Sequence, residues 1–302
     1  MTTVVFALVP GVHLLDLAGP AQAFSCASDE GLDYALRYVA ATPSVPTAQG
    51  LPVQAETRMP ALGQDDLVLV PGWRGDRLAD IGPVPTLITD ALVAHHGGGG
   101  TIASVCAGAE ALGQAGLLDG RRCTTHHEHQ DELARRYPRA NVVRDVLFTE
   151  DGRVVTSAGI ASGIDLALHL IAQRHGPAIA ARIARTMVVY ARRNGAAAQD
   201  SAMLRHRVHL SDQVHRAQEI IDDRYAGPLR LPELAAAVGV SERTLTRRFA
   251  RATGLTPLRY QQQLRLERAE TLIAQGSSVE SAARSVGFED ARMLRRLRAA
   301  PH

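Results

Sequence analysis

The segment Thr101–Ala109 places a cysteine between a strand pattern and a helix pattern. An apolar run ends at Val105, Cys106 follows directly, and small residues at 107–109 open the helix. A nucleophile on such a sharp turn projects its reactive atom from the top of a sheet. Because the amino end of the helix favours negative charge, we expect a lowered pKa and a reactive thiolate at Cys106.

A reactive cysteine needs a partner that moves a proton or stabilises charge. Asp16 follows the first strand pattern and is expected at the carboxyl edge of a parallel sheet, where ligands bind in such folds. His126 is a candidate base, and Pro71–Trp73 ends another strand and offers a backbone N–H to an anion. Three roles stay open for Cys106: sensing a small molecule or redox signal, catalysis, or packing.

Strand and helix patterns alternate over the first 175 residues. The predicted strands are Thr3–Pro10, Leu36–Ala41, Leu67–Val70, Thr101–Val105 and Arg153–Ser157. The predicted helices are Leu14–Cys26, Val84–His95, Ala107–Leu118 and Ile160–His175. This alternation predicts an α/β, flavodoxin-like fold with a mostly parallel sheet and helices on both faces.

The net charge differs between the two parts of the chain. Residues 1–202 hold 16 arginines and 20 acidic residues, a net charge of −4. Residues 203–302 hold 17 arginines and 11 acidic residues, a net charge of +6, and the chain has no lysine. A basic C-terminal part suits a polyanion such as DNA, although charge alone fits a solvated helical surface equally well.

Strand patterns stop after Ala178, and the chain beyond Met203 has only helical patterns. An Arg-, Gly- and Ala-rich stretch at 192–199 is typical of a linker. The predicted organisation is an α/β domain at 1–192, a linker at 193–204 and an all-α domain at 205–302. Within the last domain, Leu231–Gly239 and Val279–Gly287 form a weak repeat, which indicates two similar helical units.

The first of these units has the pattern of a helix-turn-helix motif. Gly239 suits the left-handed turn, and Ser241 is a good N-cap for the second helix. Leu245 and Phe249, four residues apart, fix that helix to the core. The predicted base-reading residues are Arg243, Thr246 and Arg247, and the predicted phosphate contacts are Arg248 and Arg251.

The segment Leu231–Pro257 resembles the first helix-turn-helix of the AraC/XylS regulators, most specifically over Ser241–Pro257. Leu258–Ile273 looks like the helix that joins the family's two motifs, and Ala282–Phe288 resembles the opening of the second motif. The resemblance implies that two recognition helices enter successive segments of the major groove.

The chain departs from this family near its C-terminus. Leu294 matches a core leucine, but position 298 is Arg where the family has a core phenylalanine, and the chain ends at His302 before the family's next helix. Losing a buried aromatic costs several kcal/mol, about 3–5. We therefore expect a truncated second motif that is weakened, frayed or dependent on a partner. Its basic residues remain predicted phosphate contacts: Arg292, Arg295, Arg296 and Arg298.

The first part of the chain resembles the PfpI-like branch of the class I glutamine amidotransferase-like superfamily over most of residues 1–190. The similar stretches are Leu14–Pro20, Leu67–Gly72, Ser104–Gly108, Ala115–Gly120, Thr124–His126 and Thr156–Asp165. The branch that carries an AraC-type tail uses this domain for sensing or dimerisation. Protease-like members have histidine after the cysteine, whereas this chain has Ala107, so the combination of Asp16, Cys106 and Thr125–His126 is closer to the hydratase-like members.

These observations predict a regulator and not an enzyme: a sequence-specific, double-stranded-DNA-binding homodimer that responds to a small-molecule or redox effector near Cys106. The alternatives are a PfpI-like hydratase or hydrolase with Cys106 as nucleophile and Asp16 as acid/base, or a dimerisation scaffold with an inert cysteine. Three cysteines without CxxC spacing predict no metal, and we expect no cofactor. An apolar start without a basic flank and the lack of a 20-residue apolar run predict a cytoplasmic protein with no membrane partner.

Overall fold

The computed structural model describes residues 1–75, 78, 82–189, 195, 199, 206–207, 209–274 and 276–299. The chain divides into two compact units, Met1–Gln199 and Asp200–His302. Most of the predicted linker at 193–204 lies outside the described residues, and Gly195 and Gln199 are its described members. In the described ranges, no helix combines the length and apolarity that a bilayer crossing requires.

The first unit is built on a six-stranded sheet in the order β2-β1-β5-β6-β10-β9. Neighbouring strands are parallel except for the pair β9–β10, so the predicted mostly parallel sheet is confirmed. Two short ribbons, β3–β4 and β7–β8, accompany it. The strands are β1 (Thr2–Leu8), β2 (Tyr34–Ala40), β3 (Ser44–Val45), β4 (Val53–Gln54), β5 (Leu67–Val70), β6 (Thr101–Val105), β7 (Arg122–Cys123), β8 (Asn141–Val142), β9 (Phe148–Asp151) and β10 (Val154–Ser157).

Helices cover this sheet, which explains why the central strands are almost continuously apolar. Residues 4–8 of β1 and all of β5 are buried. The helices α1, α5 and α6 pack on one another, and α2 packs on α3. The helices of the first unit are α1 (Leu14–Asp29), α2 (Thr86–Gly97), α3 (Ala109–Gln114), α4 (Gln130–Arg136), α5 (Ser162–His175) and α6 (Pro177–Thr186).

Two local features differ from the sequence prediction. The helix predicted over Ala107–Leu118 is shorter, because a 3₁₀ turn at Cys106–Gly108 precedes α3. The edge strand β9 was missed, since its four residues end in the acidic pair Glu150–Asp151 and lack a long apolar run. It joins β10 through a hairpin in which Gly152 has a φ of 61°.

The second unit consists of helices arranged around two apolar clusters. The first cluster includes Leu234, Leu245 and Phe249, and the second includes Phe288 and Leu294. Each cluster belongs to one predicted motif, so two helical motifs are confirmed, and α10 contributes to both clusters. The helices are α7 (Asp212–Asp223), α8 (Leu231–Ala237), α9 (Glu242–Thr253), α10 (Pro257–Ala274), α11 (Val279–Ser285) and α12 (Ala291–Ala299).

A half-buried arginine holds the two motifs together. The guanidinium of Arg265 donates to the backbone carbonyls of Tyr225 at 2.6 Å, Gly227 at 2.6 Å and Gly287 at 2.8 Å. Burial lowers the pKa of this guanidinium. Gly287 has a φ of 86°, and a Cβ there would lie 1.9 Å from the carbonyl oxygen of Ala226. The turn of the second motif is therefore fixed against the loop that follows α7.

The expected fraying of the second motif is not observed. The helix α12 continues to Ala299, and Leu294 is fully buried beside Phe288. Arg298, at the position of the family's phenylalanine, forms an ion pair of 2.7 Å with Glu270 of α10 instead of projecting freely toward phosphate. The motif thus forms without the aromatic side chain. The decrease in stability that we expect from the missing aromatic stays a prediction.

We predict that Leu294→Ala lowers the free energy of unfolding of the second unit by about 2–5 kcal/mol, because it leaves a cavity in a small core. Urea unfolding followed by circular dichroism measures the change. Met293→Ala on the same helix is the control, since Met293 is an exposed side chain. Equal losses in both variants would mean that the second motif lacks a packed core.

Candidate sensor site and nucleic-acid interface

Two loops at the carboxyl edge of the sheet hold each other in place. The amide of His13 donates to the carbonyl of Gly72 at 2.9 Å, and the amide of Arg74 donates to the carbonyl of Gly11 at 2.9 Å. These bonds join the loop after β1 to the loop after β5. They fix the start of α1, so Asp16 in its first turn lies against Gly72. The predicted position of Asp16 at this edge is confirmed.

Cys106 occupies a strained turn, and glycines stand at the three positions where a Cβ would collide with the cysteine or with the strand beside it. Its φ is 55°, which is uncommon for a residue with a side chain. A Cβ on Gly159 would lie 2.3 Å from the Cβ of Cys106, and a Cβ on Gly72 would lie 2.8 Å from it. A Cβ on Gly108 would lie 2.1 Å from the carbonyl oxygen of Val70. Two other loops therefore approach the cysteine more closely than a side chain permits, and the cysteine's own turn packs equally closely on the end of β5.

Asp16 and Cys106 form a buried pair of titratable groups. Burial raises the pKa of Asp16 to about 6, although the amides of Gly72 and Ile160 and the thiol of Cys106 favour its ionised form. Neither carboxyl oxygen has a partner at good hydrogen-bond geometry in the described part of the chain. A protonated Asp16 can therefore donate to a sulfur or to an anionic group, whereas an ionised Asp16 is costly to bury.

The predicted low pKa of Cys106 is wrong. Burial raises the pKa of the thiol, and the negative charge of Asp16 raises it further. The helix effect is real, since the amide of Ala107 lowers the pKa, but it is smaller than desolvation. The neutral thiol is therefore the resting form, and a thiolate forms only when Asp16 is protonated or the site becomes more polar.

His126 lies on the loop that contacts Cys106, and its neighbour Thr125 bonds the main chain of the cysteine. The hydroxyl of Thr125 donates to the carbonyl of Cys106 at 2.8 Å. The Nδ1 of His126 lies 3.5 Å from a carboxylate oxygen of Glu128, and its ring stacks on His127 with a centroid distance of 4.2 Å. The resemblance had singled out Thr125 together with His126, but the sequence did not predict this hydrogen bond, because an uncharged side chain carries no spacing signal.

Within the described ranges, no three His, Cys, Asp or Glu side chains are grouped to hold a metal ion. Cys26, Cys106 and Cys123 are all free thiols and all buried. Burial raises the pKa of Cys123 to about 11.

The helix α9 has the construction predicted for a recognition helix. Ser241 is the N-cap, and its hydroxyl oxygen accepts the amide of Thr244 at 3.3 Å. Gly239 in the preceding turn has a φ of 71°. Leu245 and Phe249 are buried, so the residues between them face away from the core.

The arginines on α9 lie on its exposed face. Arg243, Arg247 and Arg251 are exposed and form no ion pair with any described carboxylate, whereas Thr246 is half-buried. Arg248 donates to the side-chain oxygen of Gln213 on α7. The face thus presents positive charge whose hydrogen-bonding groups remain free for an external anion.

The arginines on α12 have more partners within the protein than those on α9. Arg292 pairs with Asp290 at 3.6 Å, and Arg295 pairs with Glu280 of α11. Arg296 contacts the sulfur of Met293 at 3.5 Å. A phosphate must compete with these partners, so the second motif offers weaker electrostatic attraction per arginine than α9 does.

The two units together define a class of protein: an α/β domain with a cysteine on a strained turn, joined to a helical domain with two helix-turn-helix motifs. Comparison with family models agrees. Residues 2–173 match the DJ-1/PfpI family, and residues 234–299 match a helix-turn-helix domain.

The chain is also similar to individual proteins. It is 34% identical over 253 residues to the HTH-type transcriptional regulator CdhR of Pseudomonas aeruginosa, covering 80% of this chain and 74% of that protein. It is 32% identical over 167 residues to the isonitrile hydratase of Pseudomonas putida, covering 55% of this chain and 68% of that enzyme. An AraC family transcriptional regulator from Pseudomonas putida has a similar fold, with a TM-score of 0.54 and 21% identity over 62% of this chain and 100% of that one.

The chain therefore belongs to the DJ-1/PfpI family, and it carries an AraC-type helix-turn-helix domain. Both resemblances inferred from the sequence are confirmed. The cysteine elbow and the recognition helix are features of these two domains, one in each unit.

We predict that Asp16→Asn stabilises the protein above pH 6. Folding raises the pKa of Asp16 from 3.8 to about 6, so its contribution is complete below pH 4 and is lost as the pH rises through 6. A shift of about two pKa units corresponds to about 3 kcal/mol at pH 8. Urea unfolding at pH 5 and pH 8 measures the difference between variant and wild type.

The control for this prediction is Asp90→Asn, which changes an exposed carboxyl of α2. Its effect should be small and the same at both pH values. If Asp16→Asn and the wild type lose or gain stability in parallel between pH 5 and 8, the buried carboxyl does not have a raised pKa.

Proposed function

We propose that this protein is a sequence-specific, DNA-binding transcription regulator whose α/β domain senses a small molecule or redox signal near Cys106. The observation that carries the proposal is the helix α9, which is anchored by Leu245 and Phe249 and presents unpaired arginines to solvent. The similarity to the regulator CdhR over four fifths of the chain supports the same conclusion.

The proposed recognition residues divide by role. Arg243, Thr246 and Arg247 read base edges in the major groove, because arginine pairs with guanine and threonine bonds base edges or contacts the thymine methyl. The remaining basic residues bind phosphates and set affinity. These are Arg248, Arg251, Arg292, Arg295 and Arg296.

We further propose that residues 1–192 sense the effector and dimerise, that 193–204 link the domains and that 205–302 bind double-stranded DNA. A dimer suits a regulator because its two DNA-binding domains match two half-sites. The effector acts only if it binds one arrangement of the dimer better than the other. The cytoplasm is the proposed location, since the DNA target lies there.

The assignment of α9 gives a prediction for sequence preference. Arg243→Ala should reduce the preference for DNA selected by the wild-type protein over a scrambled duplex by about 5- to 150-fold, the value of one bidentate base contact. Fluorescence anisotropy with both duplexes at fixed salt measures this ratio. An unchanged ratio would remove Arg243 from the base-reading residues.

Two variants serve as controls for Arg243→Ala. Arg251→Ala should weaken binding to both duplexes equally and reduce the salt slope by about 1, as expected of a phosphate contact. Arg58→Ala removes an exposed arginine of the first unit and should change neither quantity.

A second candidate function is a cysteine-dependent hydratase or hydrolase. The observation that favours it is the buried Asp16–Cys106 pair, together with 32% identity to an isonitrile hydratase. In this candidate, Cys106 attacks the substrate and Asp16 supplies the proton. We infer that the domain senses and does not turn over substrate, because the chain is also similar to a regulator over a longer stretch.

An assay of the full-length chain distinguishes the two functions. With an alkyl isonitrile as substrate, we expect the wild type to form no more product than Cys106→Ser. Cys123→Ser, which changes another buried thiol, is the matched control. Turnover that is lost in Cys106→Ser and kept in Cys123→Ser would establish the enzyme instead.

A further inference from the structure

Gly195 and Gln199, which follow α6 in the sequence, form hydrogen bonds to the main body of the first unit. The carbonyl of Gly195 accepts the amides of Leu147 at 2.8 Å and of Phe148 at 3.3 Å. Gly195 lies so close to Phe148 that an added Cβ would be 2.7 Å from the aromatic ring. This contact places the start of the connecting chain against the edge strand β9.

Gln199 forms the second attachment. Its backbone amide donates to the side chain of Asp145 at 3.0 Å, and its Nε2 donates to the carbonyls of Thr125 at 2.9 Å and Val146 at 3.0 Å. Both partners of Nε2 are acceptors, so a flipped amide would place oxygen against oxygen. The orientation of this side chain is therefore defined by its partners.

The amide oxygen of Gln199 is buried and has no partner among the described residues. Its Oε1 atom is inaccessible to solvent and accepts no hydrogen bond from the described residues. Burying an unsatisfied oxygen costs free energy, and this cost partly offsets the stabilisation from the two Nε2 hydrogen bonds. Such a contact is easily released when one of its acceptors moves.

Both attachments lead back to Cys106, through one intervening residue from Gln199 and through three from Gly195. Thr125 accepts from Gln199 through its carbonyl and donates through its hydroxyl to the carbonyl of Cys106 at 2.8 Å. On the other side, Leu147 donates to Gly195 and accepts the amide of Ala158 at 2.7 Å. Ala158 precedes Gly159, the residue that presses on the side chain of Cys106.

We propose that Gln199 is a positioning residue that couples the state of the Cys106 site to the chain leading into the DNA-binding domain. This inference rests on the proposed regulator function. Binding or modification at Cys106 displaces Thr125, and Gln199 then loses its acceptor and the connecting chain is released. The signal reaches the DNA-binding domain as a change in how firmly that chain is held.

A double-mutant cycle on the full-length chain tests this coupling. Thr125→Val removes the hydroxyl that holds Cys106, and Gln199→Met removes both Nε2 bonds at similar size. The readout is the dissociation constant for DNA selected by the wild type from a random duplex pool. We expect Thr125→Val to change it by about fivefold or more in the wild-type background and by less than about 1.5-fold in the Gln199→Met background.

Matched variants separate coupling from loss of stability. Gln173→Met makes the same substitution at a glutamine that bonds Glu150, and it should preserve the full Thr125→Val effect. Thr125→Ser keeps a hydroxyl and should restore wild-type affinity. The free energy of unfolding of each variant is measured in parallel, since general destabilisation would affect the Gln199→Met and Gln173→Met backgrounds alike.

The outcomes are distinguishable. A Thr125→Val effect of equal size in the Gln199→Met and wild-type backgrounds would overturn the coupling, as would the absence of any Thr125→Val effect in a folded protein. If the wild type enriches no DNA from the pool, the regulator function itself fails. If Thr125→Val does not fold, Gly159→Ala replaces it, because its added Cβ acts on Cys106 from the opposite side.

Discussion

The first unit depends on the close packing around Cys106, where two loops approach the cysteine and its own turn is pressed against β5. Gly72, Gly108 and Gly159 each lie where a side chain would collide with the cysteine or with the strand beside it. This crowding keeps Cys106 in a left-handed backbone conformation and excludes water from Asp16. The raised pKa values of the two groups follow from that exclusion. Chemistry at this site is therefore governed by desolvation more than by the dipole of the short helix behind it.

The DNA-binding unit depends on a different kind of constraint, the anchoring of helices in two small cores. Leu245 and Phe249 decide which side of α9 meets solvent, and Leu294 does the same for α12. Arg265 then joins the cores through backbone carbonyls, so the motifs share one frame although each has its own apolar cluster. Hydrogen bonds to the main chain thus act together with apolar packing to fix the geometry between its parts.

Much of this arrangement could be predicted from the sequence, because periodic apolar residues and glycine turns report local structure directly. The elbow at Cys106, the position of Asp16 and the cap at Ser241 all follow from residue types at fixed spacing. The pKa of Cys106 could not be predicted in this way, since it depends on burial by distant loops. The contacts of Thr125 and Gln199 were equally inaccessible, because uncharged side chains 74 residues apart carry no spacing signal.

The use of arginine alone for positive charge has a chemical consequence. No side chain of the sequence carries a primary amine, since the sequence contains no lysine. A guanidinium keeps its proton throughout the physiological range, and it is not a substrate for lysine acylation. Lysine acetylation therefore cannot weaken the electrostatic attraction between α9 and a duplex. Neutralising these cations would need chemistry directed at the guanidinium groups themselves.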